Sequence, residues 1–482
     1  DGGHPFGSWK DIKYFCQYVL EKTKDKNHTL ITNAIDIIIE QLNADWAIYS
    51  ECIKDDDWDK CSDKDDIKGL SLAAKWCPRG KSSHDWLHTA IAMTMFRKYI
   101  ITAKTQCSRK KAIIKCRVHL TKVITTLNKQ LNTVQINQCG GTWSSINFAH
   151  ATSVTMRNQT KAFANKTVKG KERSDDPDRI LCAKNLTNHI ESCKKEPKKN
   201  KIHGKRLNVY ELVKDAYAVV APGCGSSIEK DRINLQWDDN RSNNKGLGNI
   251  IPMSDVSYSM HTDNKTPLYS SIGLGIRCSE LAHPDFRDRV LSFASNPVWH
   301  NLSGCKTFTD KVLSISKSVS GLGTNFYLAL EMILGVIVEK NINPTEVTNM
   351  VLAIFSDMQI SEMLVSGSTF TSAENDTLYD GIEQMYAEAG LKSKYQEPYP
   401  VPHILFWNLR STTGFPVSST KKNVTMLSGY SSSLLNAVCD EGIGVLENFT
   451  GDAMLEKVLN NERYSTLSLN VLDYVYWYCG SE

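Results

Sequence analysis

From residue 250 onward, short unbroken apolar runs alternate with longer amphipathic stretches, and this alternation leaves the second half of the chain few architectures. Strand candidates are 249–254, 289–294, 351–356, 403–408 and 424–428. Helical stretches fall between or after them, near 267–281, 325–340, 378–389 and 432–440. The run Val351-Leu352-Ala353-Ile354-Phe355 is apolar at every position, as in a strand covered on both faces. Pro252, inside Ile250-Ile251-Pro252-Met253, marks the first strand as imperfect because it has no N–H to donate. Strand–helix alternation of this kind predicts a doubly wound α/β sheet, in which ligands gather at the carboxyl ends of the strands.

Two of those ends carry a carboxylate. Asp255-Val256-Ser257-Tyr258-Ser259 follows the first strand, and Asp357 follows Ser356 at the end of the third. Thr324 stands in the glycine loop Gly321-Leu322-Gly323-Thr324, ahead of another helix. Three oxygen-bearing side chains at i, i+2 and i+4 suit one hard divalent cation, and Thr324 and Asp357 complete the set. The predicted metal ligands are therefore Asp255, Ser257, Ser259, Thr324 and Asp357. The expected ion is Mg²⁺, with Ca²⁺ or Mn²⁺ as alternatives. The competing explanation is a helix N-cap supplied by Ser259 or Thr262. Mg²⁺ takes six near-octahedral oxygens, so waters or a partner's acidic side chain must fill the remaining positions. Hydrolysis would need a general base beside an activated water, and His261 is the only nearby histidine in sequence.

The first half has another character. Apolar residues recur at helical spacing through 9–20, 30–42, 70–76, 85–99, 110–131 and 143–163, and order resumes at 206–213. This succession predicts an α-helical repeat body over 1–245, followed by an α/β domain over 246–482. Residues 54–66 read as a surface loop, 166–205 as partly a mobile insertion, and 226–248 as the inter-domain linker. Charge divides the same way: 1–245 holds 42 Lys+Arg against 28 Asp+Glu, whereas 246–482 holds 15 against 25. From Trp86 to Lys171 there are 15 basic residues and no acidic one. Such a field favours a polyanion or an acidic protein surface, while the bland explanation is a solvated basic face.

The 14 cysteines include no Cys-x-x-Cys pair, and a chain of this size does not need a disulfide framework, so reduced thiols are expected. Glycosylation-type triplets, at Asn27, Asn158, Asn185, Asn301 and Asn448 among others, matter only in a secreted protein. His84 and His88 share a helix face at i, i+4 but lack the Glu and third ligand of a zinc protease. The loop 221–227 has glycines but no P-loop lysine. No apolar run reaches the length of a membrane span. The N-terminus has neither an initiator Met nor a signal pattern, which suggests a truncated start.

Asp-x-Ser-x-Ser, then Thr, then Asp resembles the metal-ion-dependent adhesion site of von Willebrand factor A domains, with Tyr258 where glycine is usual. A helical-repeat domain followed by an A domain is similar to the Ro autoantigen (TROVE) architecture. The nearer resemblance is to an uncharacterised Ro/TROVE-like family known from plants, protists and giant DNA viruses. In the first half it is carried by Trp9-Lys10-Asp11, by Ala74-Lys75-Trp76-Cys77-Pro78-Arg79-Gly80-Lys81 with Asp85-Trp86-Leu87, and by Lys161-Ala162-Phe163. In the second half it is carried by Asp255-Val256-Ser257, Gly273-Leu274-Gly275 and Phe355-Ser356-Asp357-Met358. Phe406-Trp407-Asn408-Leu409-Arg410 and Leu427-Ser428-Gly429-Tyr430-Ser431 complete it.

The resemblance implies a HEAT/TROVE-like helical domain and a doubly wound, Rossmann-like von Willebrand A domain. It also implies single-stranded or structured RNA on the basic helices. Lys75, Arg79, Lys81, Arg97, Lys98, Arg109, Lys110 and Arg117 become candidate phosphate contacts, with Trp76 and Trp86 as stacking faces or as core. The expected protein is a non-enzymatic, intracellular (cytoplasmic) scaffold whose metal docks a partner's acidic residue. The alternative is a protein-binding or structural assembly component, virion association included, with no RNA role.

Overall fold

The computed structural model describes residues 8–54, 69–220, 226–242, 250–293, 296–317, 326–357, 372–410, 423–430 and 452. The chain forms two compact units. The first comprises 1–150 with 162–186, and the second comprises 151–161 with 187–482. In chain order the helices up to the sheet are α1 (Asp11–Thr23), α2 (Thr29–Lys54), α3 (Ala73–Trp76), α4 (Asp85–Met95), α5 (Arg97–Ile101) and α6 (Gln106–Gln130). They continue with α7 (Val134–Gly140), α8 (Ser153–Phe163), α9 (Pro177–Lys195), α10 (Val209–Val220) and α11 (Ser227–Arg241).

The first unit is built around one face of α2. Ile31, Ile35, Ile38 and Leu42 recur at i+4, i+3 and i+4, so all four are buried. They share a core with Leu87 and Ile91 of α4 and with Cys116, Leu120, Ile124 and Leu127 of α6. α6 starts where Thr105 and Ser108 form a reciprocal capping box. α1 stops at Lys24, which takes the left-handed conformation at φ 58°. The single helix expected over 85–99 is broken at Phe96, whose φ of −110° and ψ of 36° are not helical. Asp45 is buried here with no ion pair among the described residues, accepting hydrogen bonds from Ser71 N (3.0 Å), Ser71 Oγ (2.7 Å) and Gln41 Nε2 (2.9 Å).

Among the described residues, the second unit is organised by a six-stranded sheet: β1 (Ile250–Asp255), β2 (Arg289–Phe293), β3 (Trp299–Asn301), β4 (Val351–Ser356), β5 (His403–Asn408) and β6 (Val424–Ser428). The strand order is β3-β2-β1-β4-β5-β6. All neighbours are parallel except β2 with β3. The remaining helices are α12 (Thr266–Leu281), α13 (Phe308–Ser316), α14 (Phe326–Glu339), α15 (Pro344–Thr348) and α16 (Ser372–Lys392). Ser254, Phe355 and Trp407 are register partners and so share one face, while Met253, Ile354 and Phe406 share the other. α12 covers the first face, where Ser254 Oγ donates to Ser271 O at 3.0 Å. α14 covers the second through Phe326, whose ring lies 6.1 Å from that of Phe406. Pro252 is accommodated inside β1, opposite Ala353 of β4 and one residue before pairing with β2 begins at Met253.

Two glycines let α12 sit between neighbours. A Cβ on Gly275 would lie 2.1 Å from Ser254 Oγ, and one on Gly273 would lie 2.2 Å from Val209 Cγ1 of α10. Close packing on both sides therefore offsets the cost of mid-helix glycine, about 1 kcal/mol each.

Three sequence expectations need correction. The stretch 226–248 is not a linker up to residue 242: α11 is capped by Ser226 and buries Ile233 and Trp237. Trp237 stacks on Phe308 at 3.8 Å between centroids. By packing, α10 and α11 belong to the core of the sheet unit, so the structural division does not fall at 245/246. Within 166–205, α9 buries Cys182, Leu186, Ile190 and Cys193 at spacings of four, four and three, an apolar stripe hidden among lysines and asparagines. The expected helix at 432–440 and most of the 54–66 loop lie outside the described residues. Among those described, ten cysteines are free thiols. No described helix is long and apolar enough to cross a membrane.

Candidate functional site

β1 and β4 are adjacent, so their carboxyl ends bring Asp255 and Asp357 to one place at the switch in strand order. Both are buried, at 2% and 1% exposure. Asp255 Oδ1 accepts from Ser257 N at 2.8 Å, and Asp255 Oδ2 accepts from Ser356 Oγ at 2.5 Å. Ser257 and Ser259 face each other through their hydroxyls at 2.9 Å. Burial pushes the Asp255 carboxyl up from 3.8 to about 6; hydrogen bonds from Ser257 and Ser356 oppose the rise, and the charge of Asp357 adds to it. Arg410 Nη1 approaches Asp357 Oδ2 at 3.5 Å.

Four of the five predicted ligands can thus be placed, and Thr324 lies outside the described residues. The helix-cap explanation fails for the described geometry. α12 is preceded by Lys265 in the left-handed region with no side-chain cap, and Thr262 makes no cap bond. Tyr258, the departure from the usual glycine, is 76% exposed and lies beside His261 with ring centroids 5.4 Å apart. Its side chain therefore leaves the hydroxyls uncrowded. Sequence reasoning missed Ser356 and Arg410. Ser356 was legible as the residue that shares a face with Asp255 once β1 and β4 are neighbours. Among the described residues no three His, Cys, Asp or Glu side chains cluster as a metal site. The set here instead offers two carboxylates and serine hydroxyls, which are hard oxygen donors suited to Mg²⁺. Two buried carboxylates also gain from a nearby cation, so the residues present fit the ion.

The basic residues of the first unit divide into groups. Lys75 is half-buried, and its ammonium lies 5.6 Å from the centroid of the Trp76 ring. Lys10, which immediately precedes α1, and Lys13 within it approach the same ring at 5.7 and 5.4 Å. Both also lie over Tyr14, which is 50% exposed, and one turn on Tyr18 is 60% exposed. None of these three lysines makes an ion pair among the described residues. Burial moves the Lys75 ammonium below its usual range. α1 was read in the sequence as a helix only; its lysine–tyrosine face was visible as Lys10, Tyr14 and Tyr18 at i+4 spacing.

A second aromatic group surrounds Tyr99, which stacks on His119 at 5.2 Å and carries Lys115 over its ring at 4.2 Å and Lys98 at 5.5 Å. Arg97, Arg109 and Lys110 are exposed on α5 and α6. Arg117 is engaged instead: its guanidinium grips Asp85 at 2.6 and 3.0 Å and Thr89 Oγ1 at 2.7 Å. That pair holds Asp85 well below the usual carboxylate range, at about 2. Arg79 and Lys81 are exposed nearby. Trp86 is a packing residue whose Nε1 donates to Gln17 Oε1 at 3.1 Å.

Residues 249–470 match a family model described as a domain of unknown function, DUF7788, and residues 18–173 match another, DUF2828. The chain is 24% identical over 463 residues to uncharacterized protein L728 of Acanthamoeba polyphaga mimivirus, covering 94% of this chain and 70% of that one. Among solved structures, the Ro (RSR) protein of Deinococcus radiodurans matches at a TM-score of 0.35 and 12% identity, over 89% of this chain and 82% of that one. A TM-score at that level assigns neither fold nor function.

Proposed function

We propose that the chain is a non-enzymatic binding scaffold that holds RNA on the helical unit and docks an acidic protein ligand through a metal on the sheet unit. The observation that carries the RNA reading is the set of three lysine ammoniums around Trp76, beside two exposed tyrosines. Cations without acidic partners attract phosphates, and exposed aromatic faces accept bases without strict sequence readout. The sheet unit is read as a von Willebrand A-type domain, with Asp255, Ser257, Ser259, Thr324 and Asp357 around Mg²⁺. In that reading a carboxylate from the partner completes the coordination shell.

The test is fluorescence anisotropy with single-stranded RNA. The triple variant Lys10→Gln/Lys13→Gln/Lys75→Gln should weaken binding and make the log–log salt slope shallower by about 2, at roughly 0.7 per phosphate contact on single strands. Tyr14→Ala/Tyr18→Ala should cost about 1–3 kcal/mol per stacked base with the slope retained. Unchanged affinity in both variants would remove this face from the account.

A further inference from the structure

A second feature of the helical unit is independent of the Trp76 face. A cavity of about 600 Å³ opens between α4, α6 and α7 and the turn that carries Arg79, Gly80 and Lys81. This volume lies within the range of small-molecule sites, about 300–1,000 Å³. Its walls are apolar, formed by Ile114, Val118, Ile124 and Ile136.

Inside these walls stand two buried polar groups. His88 is 2% exposed; among the described residues its Nδ1 has no partner and its Nε2 reaches only Thr121 Oγ1, at 3.5 Å. Asn128 is also 2% exposed. Its amide nitrogen donates to Ala74 O at 3.0 Å and Ile124 O at 2.8 Å, which fixes the amide orientation. The Asn128 carbonyl oxygen has no partner among the described residues. Burial and the charge of Arg117 both lower the His88 pKa, so the ring is neutral near pH 7 and offers one donor and one acceptor.

At the mouth, Arg117 is neutralised by Asp85, whereas Arg79 and Lys81 are exposed and make no ion pair among the described residues. A lipid tail would fill the apolar walls but leave His88 and Asn128 unpaired. A flat heterocycle with donors and acceptors on its edge satisfies both requirements, and an attached anion meets the two cations.

We infer that this cavity binds a nucleoside monophosphate, base inward against His88 and Asn128 and phosphate outward on Arg79 and Lys81. The unit is either a free nucleotide or one nucleotide of an RNA strand, and the two sources share this chemistry.

Cys139 gives a direct readout, because it is exposed and lines the cavity, whereas Cys107 is exposed and does not line it. Iodoacetamide alkylation of both cysteines in the full chain is followed by peptide mass spectrometry. Adenosine, guanosine, cytidine or uridine monophosphate, or a short single-stranded RNA, is added as protectant, with inorganic phosphate as control. At least one mononucleotide, or the RNA, should slow alkylation of Cys139 several-fold and leave Cys107 unchanged. Thr125→Trp, which fills the cavity from an exposed position, should abolish protection, and Arg79→Gln/Lys81→Gln should weaken it at least tenfold. RNA protection that survives Thr125→Trp would overturn the proposal, as would equal protection by inorganic phosphate or none by any nucleotide or RNA. The Lys10/Lys13/Lys75 variant should leave mononucleotide protection intact, so failure of the Trp76 face and failure of the cavity give different results.

Discussion

Asp255→Asn should separate the role of this carboxylate from ordinary core packing. In the metal-free protein Asp255 is buried and its pKa is raised from 3.8 to about 6. A raised acid binds more protons when folded than when unfolded between these two values. Stability therefore falls as pH climbs from about 4 to about 6 and stays reduced above that range. A rise of roughly 2 units corresponds to about 3 kcal/mol of destabilisation at pH 7, at 1.36 kcal/mol per unit. Asparagine removes this charge but offers only one acceptor oxygen to Ser257 N–H and Ser356 O–H, a loss of about 1 kcal/mol. The net expectation is a metal-free variant about 1–2 kcal/mol more stable than wild type at pH 7, and no more stable at pH 4. Urea unfolding at the two pH values, with and without millimolar Mg²⁺, reads both effects. Mg²⁺ should stabilise the wild type by mass action and leave the variant unchanged. A variant less stable than wild type at pH 7, with its Mg²⁺ response intact, would refute the reasoning.

The same geometry makes three further predictions. Arg410→Met withdraws the cation that lies 3.5 Å from Asp357, so Mg²⁺ affinity measured by calorimetry should rise; a fall would show that Arg410 supports the ion rather than competing with it. Trp237→Ala removes the ring stacked on Phe308 at 3.8 Å and should cost about 3–5 kcal/mol in urea unfolding, which a linker residue would not. Gly275→Ala forces a Cβ to 2.1 Å from Ser254 Oγ and should cost about 1–3 kcal/mol, with part of the loss recovered by adding Ser254→Ala. Simple additivity of those two changes would place the strain elsewhere.

What the sequence disclosed follows the strength of its periodic signals. β4 and β5 begin and end where the apolar runs do, because strands buried on both faces leave little ambiguity. The short edge strand Trp299–Asn301 was missed; its burial alternates as half-buried, buried, exposed over three residues, too brief for a pattern. α11 was hidden by composition, since Arg232, Gln236 and Asp239 are buried through specific partners and read in sequence as solvent-facing. Asp255 and Asp357 were legible because each ends a strand. Arg410 was not, because its relation to Asp357 depends on β4 and β5 being neighbours. The lysines were legible as charge alone, and only packing shows Arg117 spent on Asp85 while Lys10 and Lys13 gather over Trp76.

The most direct test of the scaffold account is the equilibrium affinity of the full chain for single-stranded RNA as a function of salt. Three phosphate contacts predict a log–log slope of about −2 or steeper between roughly 50 and 200 mM salt. Absent binding, or binding with a flat salt dependence, would contradict it.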